Sequence, residues 1–143
     1  VHARRDHGTR RTADPGGDHV EYDPEVGDCV VRAMGSLVPT SCGAAHLGEI
    51  VGIVVHDGDG DRPPEPETVE IPLLRQCERE MWDRGTPDLR AEVAPVTDMF
   101  IAWDQGVREV YCVASIRNEF GWPVDIKGEF YGDWEFADEQ VGT

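Results

Sequence analysis

The sequence predicts an α+β domain: a small antiparallel sheet with one main helix packed on a face, held by two disulfides and preceded by a flexible N-terminal arm. Three observations carry that expectation. The four cysteines are even in number and nowhere form a C-x-x-C pair, which is the pattern of a disulfide framework rather than of a zinc knuckle or a thioredoxin-type redox motif. One stretch of helical periodicity stands among several β-prone runs. The first residues hold arginine, glycine and aspartate but hardly any apolar side chain, so they bury nothing that would offset the entropy lost on ordering.

In chain order, residues 1–24 form the arm, with Arg4, Arg5, Arg10 and Arg11 close together and only Asp6 opposing them within the first eleven residues. A domain over 25–118 and an aromatic C-terminal extension over 119–143 follow. A short β-prone run begins at Gly27 and reaches Met34; after a Gly35-Ser36 turn, Leu37 to Thr40 is placed to pair with it as a hairpin. Ile50 to Val55 is apolar at almost every position, as a central strand covered on both faces reads. "HDGDGDRPPEP" then ends it as a loop.

The helix is expected from about Thr68, with Pro72 tolerated in its first turn and Gly85 ending it. Leu73, Leu74, Cys77 and Met81 lie on one stripe, which turns Cys77 to the core. "TDMFIAW" and "VREVYCVASI" read as strands flanking Asp104-Gln105-Gly106, whose glycine suits the left-handed position of a three-residue hairpin loop. Val110, Cys112, Ala114 and Ile116 share one face of the second of these strands, so Cys112 looks toward the helix. The last segment holds six of the chain's eleven Phe, Tyr and Trp: Phe120, Trp122, Phe130, Tyr131, Trp134 and Phe136. "EFYGDWEF" is strand-like and expected to add to a sheet edge, burying Phe130, Trp134 and Phe136; the other reading exposes Trp122 and Trp134 as a platform for a glycan ring or a partner protein.

Composition narrows the function classes. At 143 residues the chain suits one compact domain with tails. Its 29 Asp and Glu against 13 Lys and Arg, a formal net charge of -16, repel phosphate backbones and anionic membranes, so nucleic acid is not the expected partner. No apolar stretch approaches the roughly 18 residues of a membrane span, and no apolar signal-peptide core follows the arginines. The start at Val1 rather than Met fits a trimmed precursor or a cut piece. The arginine bias, with Lys127 the only lysine, is that of a GC-rich genome.

Neighbourhood in the chain pairs Cys29 with Cys42 across the first hairpin and Cys77 with Cys112 from helix to sheet; two other connectivities are formally open. Two disulfides place the folded protein outside the cytoplasm. His46 and Glu49 make an H-x-x-E pair, which on a helix would share a face as metal ligands or as an acid/base couple, but in a strand an odd separation splits the two across the sheet. His46 is better read as bonding its ring to the loop entering the strand. Asp57, Asp59 and Asp61 alternate like calcium ligands, yet Arg62 stands where that loop needs glycine and Thr68 where it needs glutamate. Neither a nucleophile elbow nor a Walker loop nor a dinucleotide fingerprint is present. The chain is accordingly expected to be no enzyme and to use no metal or cofactor.

"GDCV" at 27–30, "VPTSCGAAHLGEIVGIV" at 38–54, the helical Cys77, Pro95, Trp103, Gly106 and "YCV" at 111–113 together resemble the septum formation domain family of actinobacteria. The resemblance covers about Val26 to Ser115. It implies a secreted or membrane-tethered, disulfide-bonded α+β module without catalysis. The function expected is that of a secreted adaptor that joins other secreted or envelope proteins. Arg4, Arg5, Arg10 and Arg11 would lie along an acidic cleft of a partner, where guanidinium groups bond carboxylates two at a time. The alternatives are a subunit of a secreted antibacterial toxin assembly, a module binding the cell envelope or peptidoglycan, and a metal-assisted hydrolase using His46 and Glu49.

Overall fold

The computed structural model describes residues 23–33, 36–58 and 60–137. The arginines expected to dock a partner (Arg4, Arg5, Arg10 and Arg11), most of the arm, the Gly35 of the first turn, and Asp59 lie outside these residues.

Strand β1, Cys29–Ala33, and strand β2, Ser36–Thr40, form the expected hairpin, in register Cys29 opposite Thr40. Strand β3, Gly48–Val55, is buried at six of its eight positions, as its unbroken apolar run requires. It leads through the acidic loop to helix α1, Pro66–Arg84. Strand β4, Ala91–Val96, and strand β5, Glu109–Arg117, pair antiparallel, and β5 also pairs with β3. Strand β6, Pro123–Val124, takes up the end of β5 beyond Ser115, where β3 stops. The resulting six-stranded antiparallel sheet runs β2-β1-β3-β5-β4, with β6 beside β5.

Helix α1 lies on one face of this sheet and buries Leu73, Cys77 and Met81, a stripe repeating every four residues. It starts two residues earlier than the sequence indicates, at Pro66, so Pro72 stands in the second turn rather than the first. There it removes one backbone bond, the one to Thr68, a loss that the buried stripe offsets. Close approach to β3 depends on Gly52, because a Cβ at that position would meet the Glu80 side chain at 2.6 Å. The main core fills the space between helix and sheet with Val51, Val54, Val93, Val110, Ala114 and Ile116 around the Cys77–Cys112 bond. A smaller cluster of Val30, Ile50 and Val113 occupies the opposite face.

Two expected elements come out differently. Residues 97–102 are turns that end in a 3-10 helix, Trp103–Gln105, and the strand preceding β5 is Ala91–Val96 instead. The Thr97 hydroxyl explains the switch: it accepts the Met99 N–H and donates to the Glu109 carbonyl, turning the chain out of the ladder. Met99 and Trp103 reach the core from turns, so an apolar run reads as a strand without being one. Gly106 does hold the left-handed conformation, at φ 86°.

The second correction concerns the aromatic segment. Apart from the two residues of β6, it adds no strand to the main sheet, and "EFYGDWEF" joins none of its edges. Strands β7, Ile126–Gly128, and β8, Trp134–Phe136, instead pair with one another as a separate two-stranded ribbon. His46 and Ile126 exchange backbone hydrogen bonds, and the Gly128 N–H donates to the Cys42 carbonyl at 2.6 Å, fastening the ribbon to the loop before β3. Gly128 permits the ribbon's turn: its φ is 113°, and a Cβ there would stand 2.2 Å from the Asp133 carbonyl oxygen. Ile126 and Phe130 are buried in the main core, whereas Trp134 and Phe136 are half-buried beside it.

Tyr131 joins the ribbon to the helix by donating its hydroxyl to the Met81 carbonyl. Burial pushes its pKa up to about 12, with nearby Arg84 opposing the rise and Glu49 adding to it. The folded state therefore holds the phenolic proton more tightly than the unfolded chain. The stabilisation is complete below pH ~10, the ordinary tyrosine value, and is lost as pH rises through the folded pKa. Thermal melts at increasing pH, followed with tyrosinate absorbance, are expected to show the midpoint falling between pH about 10 and 12 and that fall flattened in Tyr131→Phe.

Candidate functional site

All four cysteines are paired, Cys29 with Cys42 and Cys77 with Cys112, with Cα separations of 5.3 and 5.2 Å. Closed disulfides are the mark of an oxidising compartment rather than the cytoplasm. Among the described residues, no helix is long and apolar enough to cross a membrane.

Of the H-x-x-E pair, Glu49 sits against the first disulfide. His46 precedes β3, fully buried, and its Nδ1 lies 2.8 Å from the Ala44 carbonyl, in the loop leading into the strand. Its Nε2 is buried without a hydrogen-bond partner among the described residues. Glu49, inside β3, is also buried and accepts the Phe130 N–H at 3.0 Å. Its carboxyl oxygen and the sulfurs of Cys29 and Cys42 lie within 4.8 Å of one another. Both sulfurs are spent on each other, so this group offers one carboxylate and no thiolate, which is not a zinc ligand set. His46 is not a member of it.

In the acidic loop, Asp57 and Asp61 are exposed. The loop backbone is pinned from the far side of the chain. Trp103 Nε1 donates to the Gly60 carbonyl at 2.7 Å and Arg108 Nε to that of Gly58 at 3.0 Å, while the Arg108 guanidinium lies 3.3 Å from the Trp103 ring centroid. These contacts fix the loop by its carbonyls and leave the Asp57 and Asp61 carboxylates in solvent.

Side chains suited to recognition gather at one end of the sheet. The Arg117 N–H donates to the Arg90 carbonyl, so the turn entering β4 and the turn leaving β5 are neighbours. The first presents Leu89, 97% exposed; the second presents Phe120 and Trp122, 74% and 67% exposed. The second turn is built on Asn118, whose side-chain oxygen accepts the N–H groups of both Phe120 and Trp122 at 2.8 and 3.1 Å. Its backbone closes the same turn through Trp122 and Gly121. Large apolar surface is thus held on a braced turn, where its exposure is not relieved by local folding.

Trp134 reaches this end through Arg90. The guanidinium lies 5.2 Å from the Trp134 ring centroid and 5.3 Å from that of Phe136, and its Nε and Nη2 donate to the two Asp88 oxygens at 3.0 and 3.2 Å. The hydrogen bond from Arg90 holds the Asp88 carboxyl below the usual carboxylate range. Asp88, Arg90 and residues 132–136 line a shallow cleft of about 560 Å³. A second groove, of about 720 Å³, runs between α1 and β4; it is edged by the exposed Trp82 and mixes Arg75, Arg79 and Arg117 with Glu78, Asp83 and Glu92.

Of the two tryptophans singled out in the sequence, Trp122 is exposed and Trp134 is half-buried under Arg90. Leu89 and Arg90 were not legible as members of the surface. The available signal was turn chemistry: "PDLR" and "NEFGWP" both carry an Asx residue just before the exposed apolar side chain. Compared with protein-family models, curated proteins and solved structures, the chain finds no match in any of the three.

Proposed function

We propose that the chain is a non-catalytic interaction module of the extracytoplasmic space, joining other secreted or envelope proteins, and that the end formed by Leu89, Phe120 and Trp122 is one of its contact surfaces. The supporting observation is the bracing of two large exposed aromatics on the Asn118 turn. Rigid aromatic anchors supply contact area at low entropic cost, and tryptophan is the residue most enriched among binding hot spots. The resemblance to the septum formation domain family points the same way. Arg4, Arg5, Arg10 and Arg11 are a second docking element in this reading, suited to an acidic cleft on a partner, as in an antibacterial toxin assembly.

The test compares the intact protein, a Phe120→Ala/Trp122→Ala variant and a chain lacking residues 1–22, each cross-linked in culture medium of the native producer, with partners identified by mass spectrometry. Loss of a buried tryptophan anchor weakens binding by about 2 kcal/mol, roughly 30-fold in Kd. The expected result is that the double variant, with unchanged circular dichroism, loses a partner that the intact protein captures. Identical partners at identical yield would remove the aromatic end from the proposal. Tryptophan fluorescence is expected to stay constant on titration with soluble peptidoglycan fragments, and saturable quenching would transfer this surface to a glycan.

A further inference from the structure

We propose that Cys29–Cys42 is a thiol-exchange site, at which an external thiolate is taken up on Cys42 while Cys77–Cys112 remains closed. The two bonds sit in opposite environments. Cys77 and Cys112 have no solvent exposure and are covered by α1 on one side and β5 on the other. A thiolate must approach a disulfide from outside and displace one sulfur, so reaching that bond requires the core to open.

The first disulfide is asymmetric. Cys29 is buried in β1, and Cys42 is half-buried in the loop that follows β2. Its neighbours Ser41, Gly43, Ala44 and Ala45 are all exposed and all small, so the loop around Cys42 carries no bulky side chain of its own. The backbone there is held, because the Gly128 N–H donates to the Cys42 carbonyl and the Ala44 N–H to that of Ser41. Access therefore does not depend on loosening the loop. Attack is directed to Cys42, and Cys29 is the leaving sulfur.

The exchange balances with a thiol as the named co-reactant. The incoming thiolate forms a new S–S bond with Cys42 Sγ; the Cys29–Cys42 bond breaks; and its electron pair goes to Cys29 Sγ, which takes a proton from water. Glu49 Oε1, 3.9 Å from that sulfur, is placed to accept the new S–H. A second thiolate, or Cys29 itself after losing its proton, resolves the mixed disulfide. The substrate class is a low-molecular-weight thiol or the dithiol of an oxidoreductase. While the bond is open, β1 is held to β3 by only two register pairs, Cys29 with Glu49 and Val30 with Gly48.

The test treats the intact protein with limiting dithiothreitol, quenches with iodoacetamide at intervals and maps the labelled peptides. Cys29 and Cys42 are expected to be labelled at least tenfold faster than Cys77 and Cys112, on the order set by exposure. Equal labelling of the two pairs overturns the proposal. Reduced glutathione is expected to leave its adduct on Cys42, and an adduct on Cys29 overturns the assignment of the attacked sulfur. Cys29→Ser and Cys42→Ser each expose one lone thiol to a chromogenic disulfide: Cys42 in the first is expected to react quickly and Cys29 in the second slowly, and equal rates refute the asymmetry. Should either serine variant fail to fold, the mapping of the intact protein decides alone. A reductase dithiol is separated from a small thiol by repeating the mapping with reduced thioredoxin in place of glutathione.

Discussion

Replacing Cys77 and Cys112 together by alanine is expected to lower the unfolding free energy by about 4 kcal/mol, the chain-entropy value for a loop of this length. The bond spans 35 residues, against 13 for Cys29–Cys42, and the same relation gives about 3 kcal/mol for the shorter loop. Location widens the gap. Both sulfurs are fully buried in the main core, and the bond links α1 to β5, the strand that pairs with β3, β4 and β6. Alanine, unlike serine, introduces no buried hydroxyl, so the change reads the cross-link and its packing alone. Urea denaturation under non-reducing conditions measures it. A domain of this size holds about 5–15 kcal/mol in total, so the variant stays folded in water with a much lower midpoint. A midpoint shift no larger than that of the Cys29→Ala/Cys42→Ala variant would mean that the two layers are held together by packing and not by the bond.

Phe130→Ala is the second large effect, expected to cost about 3–5 kcal/mol, the range for truncating a buried aromatic. The ring is buried in the main core and meets Tyr131 edge-on, with centroids 4.8 Å apart. Its backbone N–H bonds Glu49, eighty-one positions earlier in the chain. Truncation opens a cavity and weakens the anchorage of the ribbon at the same time. Because the segment containing it shares the core with α1, loss is expected in one cooperative transition seen alike by tryptophan fluorescence and far-ultraviolet circular dichroism. Phe130→Leu, which refills most of the volume, is expected to recover more than half of the loss. Two separated transitions in the parent protein would instead make residues 123–136 an independently folding appendage.

Much of the fold was legible because it follows from local periodicity. The four-residue repeat of Leu73, Cys77 and Met81 placed both the helix and the direction of its cysteine. The alternation of Val110, Cys112, Ala114 and Ile116 aimed the second cysteine back at it, and together they made the bond. The continuous run from Ile50 to Val55 announced a strand covered on both sides. Where periodicity was absent the reading failed. "TDMFIAW" has strand composition, yet the Thr97 hydroxyl draws the chain into turns and the pairing role passes to Ala91–Val96, an unremarked stretch broken by Pro95. Pro95 is tolerated there because β4 is an edge strand, a fact of topology.

The surface was less legible than the core. Six aromatics in seventeen residues are conspicuous, but their number does not say which of them face water. Phe130 goes to the core, Trp134 lies under Arg90, and Phe120 and Trp122 are thrust out by a turn built on Asn118. Leu89 joins them only because Arg90 pairs with Arg117 at the end of the β4–β5 ladder. His46 lies ahead of β3 with its ring on the Ala44 carbonyl, the loop contact that the sequence suggested, while Glu49 turns to the Phe130 N–H.

By itself the sequence determined the class of the fold, the place of helix α1 and the direction in which Cys77 and Cys112 face, because each of these depends on spacing along the chain; the tertiary structure closed the choice among the cysteine pairings. Only the tertiary structure decided which aromatics stay in solvent, which cysteine sulfur is within reach and which strand forms the edge. Exposure is conferred by neighbours, and here those neighbours are dozens of residues away along the chain.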